Sequence, residues 1–332
     1  MTREEGTYIL MVDFLFFGET NTICIPIQYS NGVGHLLASD DNDYWFPFGC
    51  PIQNFAEITE EQLFEETKKV HTYYSSCTEG VNHRLKYLKL DCGQHFNSIY
   101  RPIFSENLTE CAYSTLQDET FSIELYKDLP ISCFQDYSNQ IRQLEIILDD
   151  IVDVFKVVAP HHNQFSVYGH AIRNIIILAC TELDARMQSI LANNGVSPEG
   201  NYFEMKDYYK LKEALRLDEY ELSFYRYGDL GTFSPFSTWE NDEQLYWYQA
   251  YNHIKHNREK HFAEAKLFNA INAIMAYAII LIAQYGYRND LWRETVGKII
   301  HINKEPKWDL EDFYIKSPGG QRTVSYPFKQ ET

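Results

Sequence analysis

Residues Ala265 to Tyr285 form the most apolar run in the chain. A helix that is apolar on all sides has no face to offer water, so other elements must enclose it. Its longest uninterrupted apolar stretch, Ala273 to Ala283, is 11 residues. A bilayer-spanning helix needs ~20. The run therefore reads as the core helix of a globular unit, and it demands several long helical partners. Directly before it lies Leu245 to His261, LYWYQAYNHIKHNREKH, dense in aromatics, amides, imidazoles and cations. The pair reads as a polar functional helix feeding a core helix.

The partners can be found by periodicity. Gln135 to Val158 carries apolar residues at Ile141, Leu144, Ile147, Leu148, Ile151, Val154, Phe155 and Val158. Spacings of three and four mark an amphipathic helix, which Pro160 ends. A second helix is expected from Ser166, as N-cap, to Asn193, with Gly195 as its stop. A third begins near Asn241 and carries the polar stretch. The fourth runs from about Phe262 to Gln284 and stops at Gly286. Asp290 to Ile302 adds a short helix. Residues 196–240 read as an insert with one helix, Lys206–Arg216, and a long loop, YRYGDLGTFSPFSTW, of a kind that often covers a site. Four long helices predict an antiparallel bundle.

Before Pro130 the pattern is different. Residues 7–17, 21–29 and 33–38 are rich in β-branched and aromatic residues, and Ser30-Asn31-Gly32 suits a tight hairpin. Tyr44 to Phe48 predicts a short edge strand closed by Pro47. Thr59 to His71 predicts a helix opened by a Thr59/Gln62 capping box. Residues 84–91, 108–115 and 120–127 alternate as strands. The expectation is an α+β protein: a mainly antiparallel β domain over 1–130, a helical bundle over 131–303, and a peripheral tail over 304–332.

Charge narrows the partners. The net charge is -18, which argues against broad electrostatic capture of nucleic acid or an anionic membrane. Residues 1–133 carry 20 Asp+Glu against 8 Lys+Arg, a net of -12, and the remainder carries 27 against 21, a net of -6. Anion binding is therefore to be sought in the second half. The seven cysteines are odd in number and form no CxxC, which fits reduced thiols in a cytoplasm. No cofactor and no membrane partner is expected.

The polar stretch carries the candidate chemistry. Positions i and i+4 share a helix face, which pairs Asn252 with His256, Tyr251 with Lys255, and His253 with Asn257, while Arg258 falls three after Lys255. One surface would thus offer an amide, an imidazole, an ammonium and a guanidinium. An imidazole can accept or donate a proton near neutral pH, and the cations can bind phosphate and favour developing negative charge. These parts suit metal-independent RNA cleavage, in which a base activates the ribose 2′-OH against the adjacent phosphate. His253-x-x-His256 with His261 resembles metal ligands only loosely, with no HExxH Glu and no nearby Cys, so no metal site is expected.

The stretch WYQAYNHIKHNREKHF, followed by AEAKLFNAINAIMAYAIILIAQYG, resembles the HEPN superfamily of small helical-bundle proteins. It looks like bacterial defence-associated members with a Tyr-Asn-x-x-Lys-His-x-Arg pattern before an apolar helix. The resemblance covers roughly 135–300 and does not reach the N-terminal domain. It implies a metal-independent endoribonuclease, often part of toxin–antitoxin, CRISPR or phage-defence systems and commonly a homodimer in which two motifs form one cleft. The family motif is an Arg, usually a following polar residue, then a His four to six residues after the Arg. Asn252 and His256 match the Asn and the His, and Tyr251 stands where the Arg would be. The resemblance makes His256 the acid/base, with Asn252 and Arg258 beside it, and Lys255, Tyr251, His253 and Arg173 in contact with an RNA or nucleotide. The alternative is a non-catalytic module that binds a nucleotide or an operon-encoded protein partner. A plainer reading has Asn252 and His256 buried in a polar network completed by Glu182 or Asp184.

Overall fold

The computed structural model describes residues 3–16, 19–39, 45–70, 83–88, 94–101, 103–104, 131–198, 200–240, 245–287, 290–308, 312, 314–315 and 322–328. The chain divides into two compact units. One comprises Met1–His95, Arg101–Leu125 and Trp308–Thr323, and the other Phe96–Tyr100, Tyr126–Lys307 and Val324–Thr332. The fold is mixed, with the strands of the first unit preceding the long helices of the second, and is of the expected α+β kind.

In the first unit, alternation of apolar residues builds one antiparallel sheet. Its strands are β1 (Gly6–Phe16), β2 (Glu19–Ser30), β3 (Val33–Ser39), β4 (Trp45–Gln53) and β5 (His83–Leu88), in the order β4-β3-β2-β1-β5. Tyr8 and Leu10 on β1, Ile27 and Tyr29 on β2, Leu36 on β3 and Ile52 on β4 are buried with Phe55, Leu63 and Phe64. Asn31 and Gly32 turn the β2–β3 hairpin with φ of 52° and 80°, the positive values that a two-residue primed turn needs. Strand β4 is an edge strand as expected, but Pro47 does not close it: the strand runs on to Gln53, since an edge position tolerates the missing N–H. Helix α1 (Glu60–Val70) opens on the expected capping box: Thr59 N–H donates to Gln62 Oε1 at 3.0 Å, and Gln62 N–H to Thr59 Oγ1 at 3.2 Å. Short strands β6 (Gln94–Phe96) and β7 (Ile103–Phe104) follow. The strands expected over 108–115 and 120–127 lie outside the described residues.

The second unit is helical. It holds α2 (Ile131–Phe155), α3 (His170–Asn193), α4 (Met205–Leu215), strands β8 (Glu221–Phe224) and β9 (Thr232–Phe233), α5 (Tyr246–His256), α6 (Arg258–His261), α7 (Leu267–Tyr285), α8 (Asp290–Glu294) and β10 (Ile300–Lys304). Every residue of α7 except Phe268 is buried, and the helix packs against α2, α3 and α5. By length and composition α7 could cross a bilayer, yet 94% of its most apolar window is enclosed by protein. The α2 residues picked out by periodicity, from Ile141 to Phe155, are all buried. Gly195, with φ 78°, and Gly286, with φ 75°, follow α3 and α7 as the stops expected there.

Several boundaries differ from expectation, each for a local reason. Helix α3 starts at His170, not after Ser166, because Phe165 and Ser166 turn the chain and Val167 and Tyr168 are held against the residues that open α7. Val167 and Phe165 carbonyls accept the N–H groups of Leu267 at 2.8 Å and Phe268 at 3.2 Å, and Tyr168 bridges Lys266. These bonds satisfy donors that the first turn of α7 leaves without helical partners. For the same reason α7 starts at Leu267 and not near Phe262. The third long helix is also shorter than expected. Helix α5 ends at His256, and Asn257, with φ -142° and ψ 67°, turns the chain into the separate α6. Asn leaves helical geometry at little cost, and the turn lets Phe262 meet the ring of His170 at 4.7 Å. The helix expected over 290–302 is cut short, since Ile300–Lys304 pairs with β8 in a small sheet of order β10-β8-β9. The 196–240 insert is not a cover. Its Leu222, Phe224, Leu230, Phe233, Phe236 and Trp239 are buried in the main core.

The residues read as a tail also supply structure. Strand β11 (Tyr314–Ile315) pairs parallel with β7, and Tyr314 is buried with its ring stacked on His95 at 4.3 Å. Strand β12 (Arg322–Val324) leads to Tyr326, whose ring meets Phe96 edge-on at 5.0 Å.

Candidate functional site

Helix α5 divides cleanly. Trp247, Tyr248, Ala250, Tyr251 and Ile254 are buried, the one-sided spacing that an amphipathic helix requires. Trp247 is pinned by its Nε1–H, which donates to the Pro235 carbonyl at 2.9 Å. Gln249, His253, Lys255 and His256 are exposed, and Asn252 is half-buried.

The buried face carries a polar network. Tyr248 donates its hydroxyl to Asp184 Oδ1 at 2.7 Å, and Tyr251 reaches Asp184 Oδ2 at 3.5 Å. Lys255 Nζ donates to the Tyr251 hydroxyl at 2.9 Å and sits 5.0 Å from the centre of the same ring. Burial pushes the Asp184 carboxyl up to about 6, against the opposing hydrogen bond from Tyr248, the charge of Lys255 and the hydrogen bond from Tyr251. The hydrogen bond to Tyr251 is the largest influence holding the Lys255 ammonium above its ordinary value. Burial and the nearby Asp184 charge raise the Cys180 thiol, which makes it an inert core group.

The expected residues are distributed as follows. Asn252 and His256 lie one turn apart on α5, and neither makes a side-chain hydrogen bond among the described residues. Asp184 bonds Tyr248 and Tyr251, not His256, and Arg186 of α3 pairs with Asp136 of α2 at 2.8 Å. Tyr251, at 1% exposure, is a core residue. Lys255 is the cation attached to it. Arg258 is exposed at the start of α6, beyond the Asn257 break that interrupts the single helical surface expected from the spacing. Arg173 bonds its neighbour Asn174, with Nη2 at 2.6 Å from Oδ1. Lys260, with Lys255, His256 and Arg258, extends an exposed basic run at the end of α5 and in α6.

His253 takes part in a second cluster. Its Nδ1 lies 2.8 Å from Glu264 Oε2, while His261 Nδ1 lies 2.5 Å from Glu264 Oε1. The two imidazoles face one another with centroids 4.6 Å apart. Burial works to raise the Glu264 carboxyl, but the hydrogen bonds to His253 and His261 prevail and hold it below its usual range. His256 is not a member. Sequence reasoning missed Glu264 because it lies eleven residues from His253, across a turn that periodicity did not show. The available signal was the spacing of three between His261 and Glu264. Asp184 was noted as a possible partner of His256, and its pairing with two tyrosines depends on which face of α5 points inward.

No protein-family model, no curated protein and no solved structure matches this chain.

Proposed function

We propose that α2, α3, α5 and α7 form a HEPN-like antiparallel bundle whose α5–α6 end binds and cleaves RNA without a metal. The observation that carries this reading is that His256 and Asn252 are both accessible, make no side-chain hydrogen bond among the described residues and lie one turn apart beside exposed Lys255. His256 takes the proton from a ribose 2′-OH. The freed oxygen attacks the adjacent phosphorus, the bond to the 5′-oxygen breaks, that oxygen takes the proton back from the His256 imidazolium, and a 2′,3′-cyclic phosphate is left. Asn252 orients the imidazole or the ribose. Lys255 and Arg258 hold the phosphate, whose charge grows in the transition state. Dimerisation would bring two such ends together in one cleft, in a cytoplasmic defence or stress setting.

The test is incubation of purified protein with RNA in excess chelator. Cleavage is expected in wild type, with a ~100- to 10,000-fold loss in His256→Ala, the span that general acid–base catalysis supplies. Equal cleavage by the variant refutes the assignment. A second reading is favoured by the burial of Tyr251, which leaves no guanidinium at the family's Arg position. On that reading the helical unit binds a nucleotide or an operon-encoded protein without cutting it, and the β unit recognises a trigger. RNA binding without cleavage selects it.

A further inference from the structure

We infer that His253, His261 and Glu264 form a binding site for a divalent first-row transition-metal ion of the zinc class. The three residues come from three successive pieces: the end of α5, the end of α6 and the turn that precedes α7. One ligand atom from each lies within 4.8 Å of the other two. Two imidazoles and a carboxylate are a donor set that suits Zn²⁺, Co²⁺ or Ni²⁺ and is poorly suited to Ca²⁺ or Mg²⁺, which take oxygen.

The geometry is close to what an ion needs. Tetrahedral ligands 2.0–2.1 Å from zinc stand ~3.3–3.4 Å from one another. The imidazole-to-carboxylate separations are 2.8 Å to Oε2 and 2.5 Å to Oε1, so an ion replacing the two bridging protons opens each contact by ~0.5–0.9 Å, while ligand atoms as far apart as 4.8 Å draw in by up to ~1.5 Å. The side chains have room for that, being 50% exposed at His253, 24% at His261 and 35% at Glu264. Part of the coordination sphere is then left to water. The Glu264 backbone is already fixed, because its carbonyl accepts Asn269 Nδ2 at 2.8 Å.

Such an ion would clasp both sides of the break at Asn257. It would thereby fix the end of α5 that presents Lys255 and His256. The site does not depend on the ribonuclease reading, because ion binding is measured without RNA and the proposed cleavage proceeds in chelator.

The experiment uses the full chain, stripped by chelator and titrated with Zn²⁺ by calorimetry and with Co²⁺ by visible absorption. Wild type should bind one equivalent. The cobalt spectrum should be that of a nitrogen- and oxygen-ligated ion, without the charge-transfer band of a thiolate. His253→Ala and Glu264→Gln should each lower affinity ~10-fold or more, and zinc should raise the thermal midpoint of wild type but not of either variant. Both substitutions are at partly exposed side chains, and circular dichroism confirms that each variant is folded. Absence of stoichiometric binding by wild type overturns the proposal, as does a less than ~10-fold weakening in both variants.

Discussion

Replacing Asp184 with Asn should make the pH dependence of stability measurably shallower. The ordinary aspartate value is 3.8, and burial raises that of Asp184 to about 6 in the folded protein. Between these values the folded state holds a proton that the unfolded state has released. Stability contributed by this group is thus full below about pH 3.8 and falls as pH rises towards and through about 6. The whole difference corresponds to about 3 kcal/mol at 1.36 kcal/mol per pH unit. Between pH 4.5 and 7.5 the linkage relation leaves about 2 kcal/mol of it. Asparagine mimics the neutral acid: its carbonyl still accepts from Tyr248, and it carries no charge to desolvate. Relative to wild type, Asp184→Asn should therefore gain about 2 kcal/mol between those two pH values. Urea denaturation followed by ellipticity at constant ionic strength measures this directly. If the two proteins' stabilities run parallel with pH, or the variant loses ground as pH rises, burial does not dominate at Asp184.

Four other outcomes follow from local geometry. Thr59→Ala should cost about 1 kcal/mol in urea denaturation, because it removes the acceptor for the Gln62 N–H; Thr59→Ser should recover most of it. Gly286→Ala should lower the thermal midpoint through a loss of about 1–3 kcal/mol, since the residue has φ 75° and a Cβ there would lie 2.8 Å from the Tyr100 ring. Loss of RNA cleavage in His256→Ala and loss of zinc binding in Glu264→Gln complete the set.

The elements legible in the sequence were those whose signal is local. Apolar spacing placed the buried residues of α2, the Thr59/Gln62 box placed the start of α1, and Asn31-Gly32 placed the β2–β3 turn. Each depends on residues within a turn or two of one another. The misplaced boundaries depend on partners far away in sequence. Nothing near Ser166 indicates that the residues on either side of it, Phe165 and Val167, will give their carbonyls to Phe268 and Leu267. Nothing in 221–224 indicates pairing with 300–304. The same division holds at the site. The i, i+4 rule put Asn252 and His256 one turn apart, but it carried Arg258 onto the same surface across a break that it could not see. It also left out Glu264, which is three residues from His261 but which only the fold brings to His253.

In the proposed phosphate site, Tyr251 explains why the charge comes from a neighbouring residue. The side chain at 251 is chosen by the core: its ring is buried, and its hydroxyl sits between the Lys255 ammonium and the Asp184 carboxylate. A guanidinium built from that position would start inside the protein and be drawn to Asp184, a half-buried acceptor already held by Tyr248. Lysine one turn later begins at the surface instead. It lays its ammonium against the phenol ring and hydroxyl, and stays exposed. A buried charge would need full pairing, whereas this one keeps water on one side and a polarised hydroxyl on the other. For the proposed phosphate site, the positive charge is therefore supplied from 255 while 251 serves as its support. On the proposed reading, Tyr251 in place of an Arg leaves the positive charge at that end of α5 to Lys255.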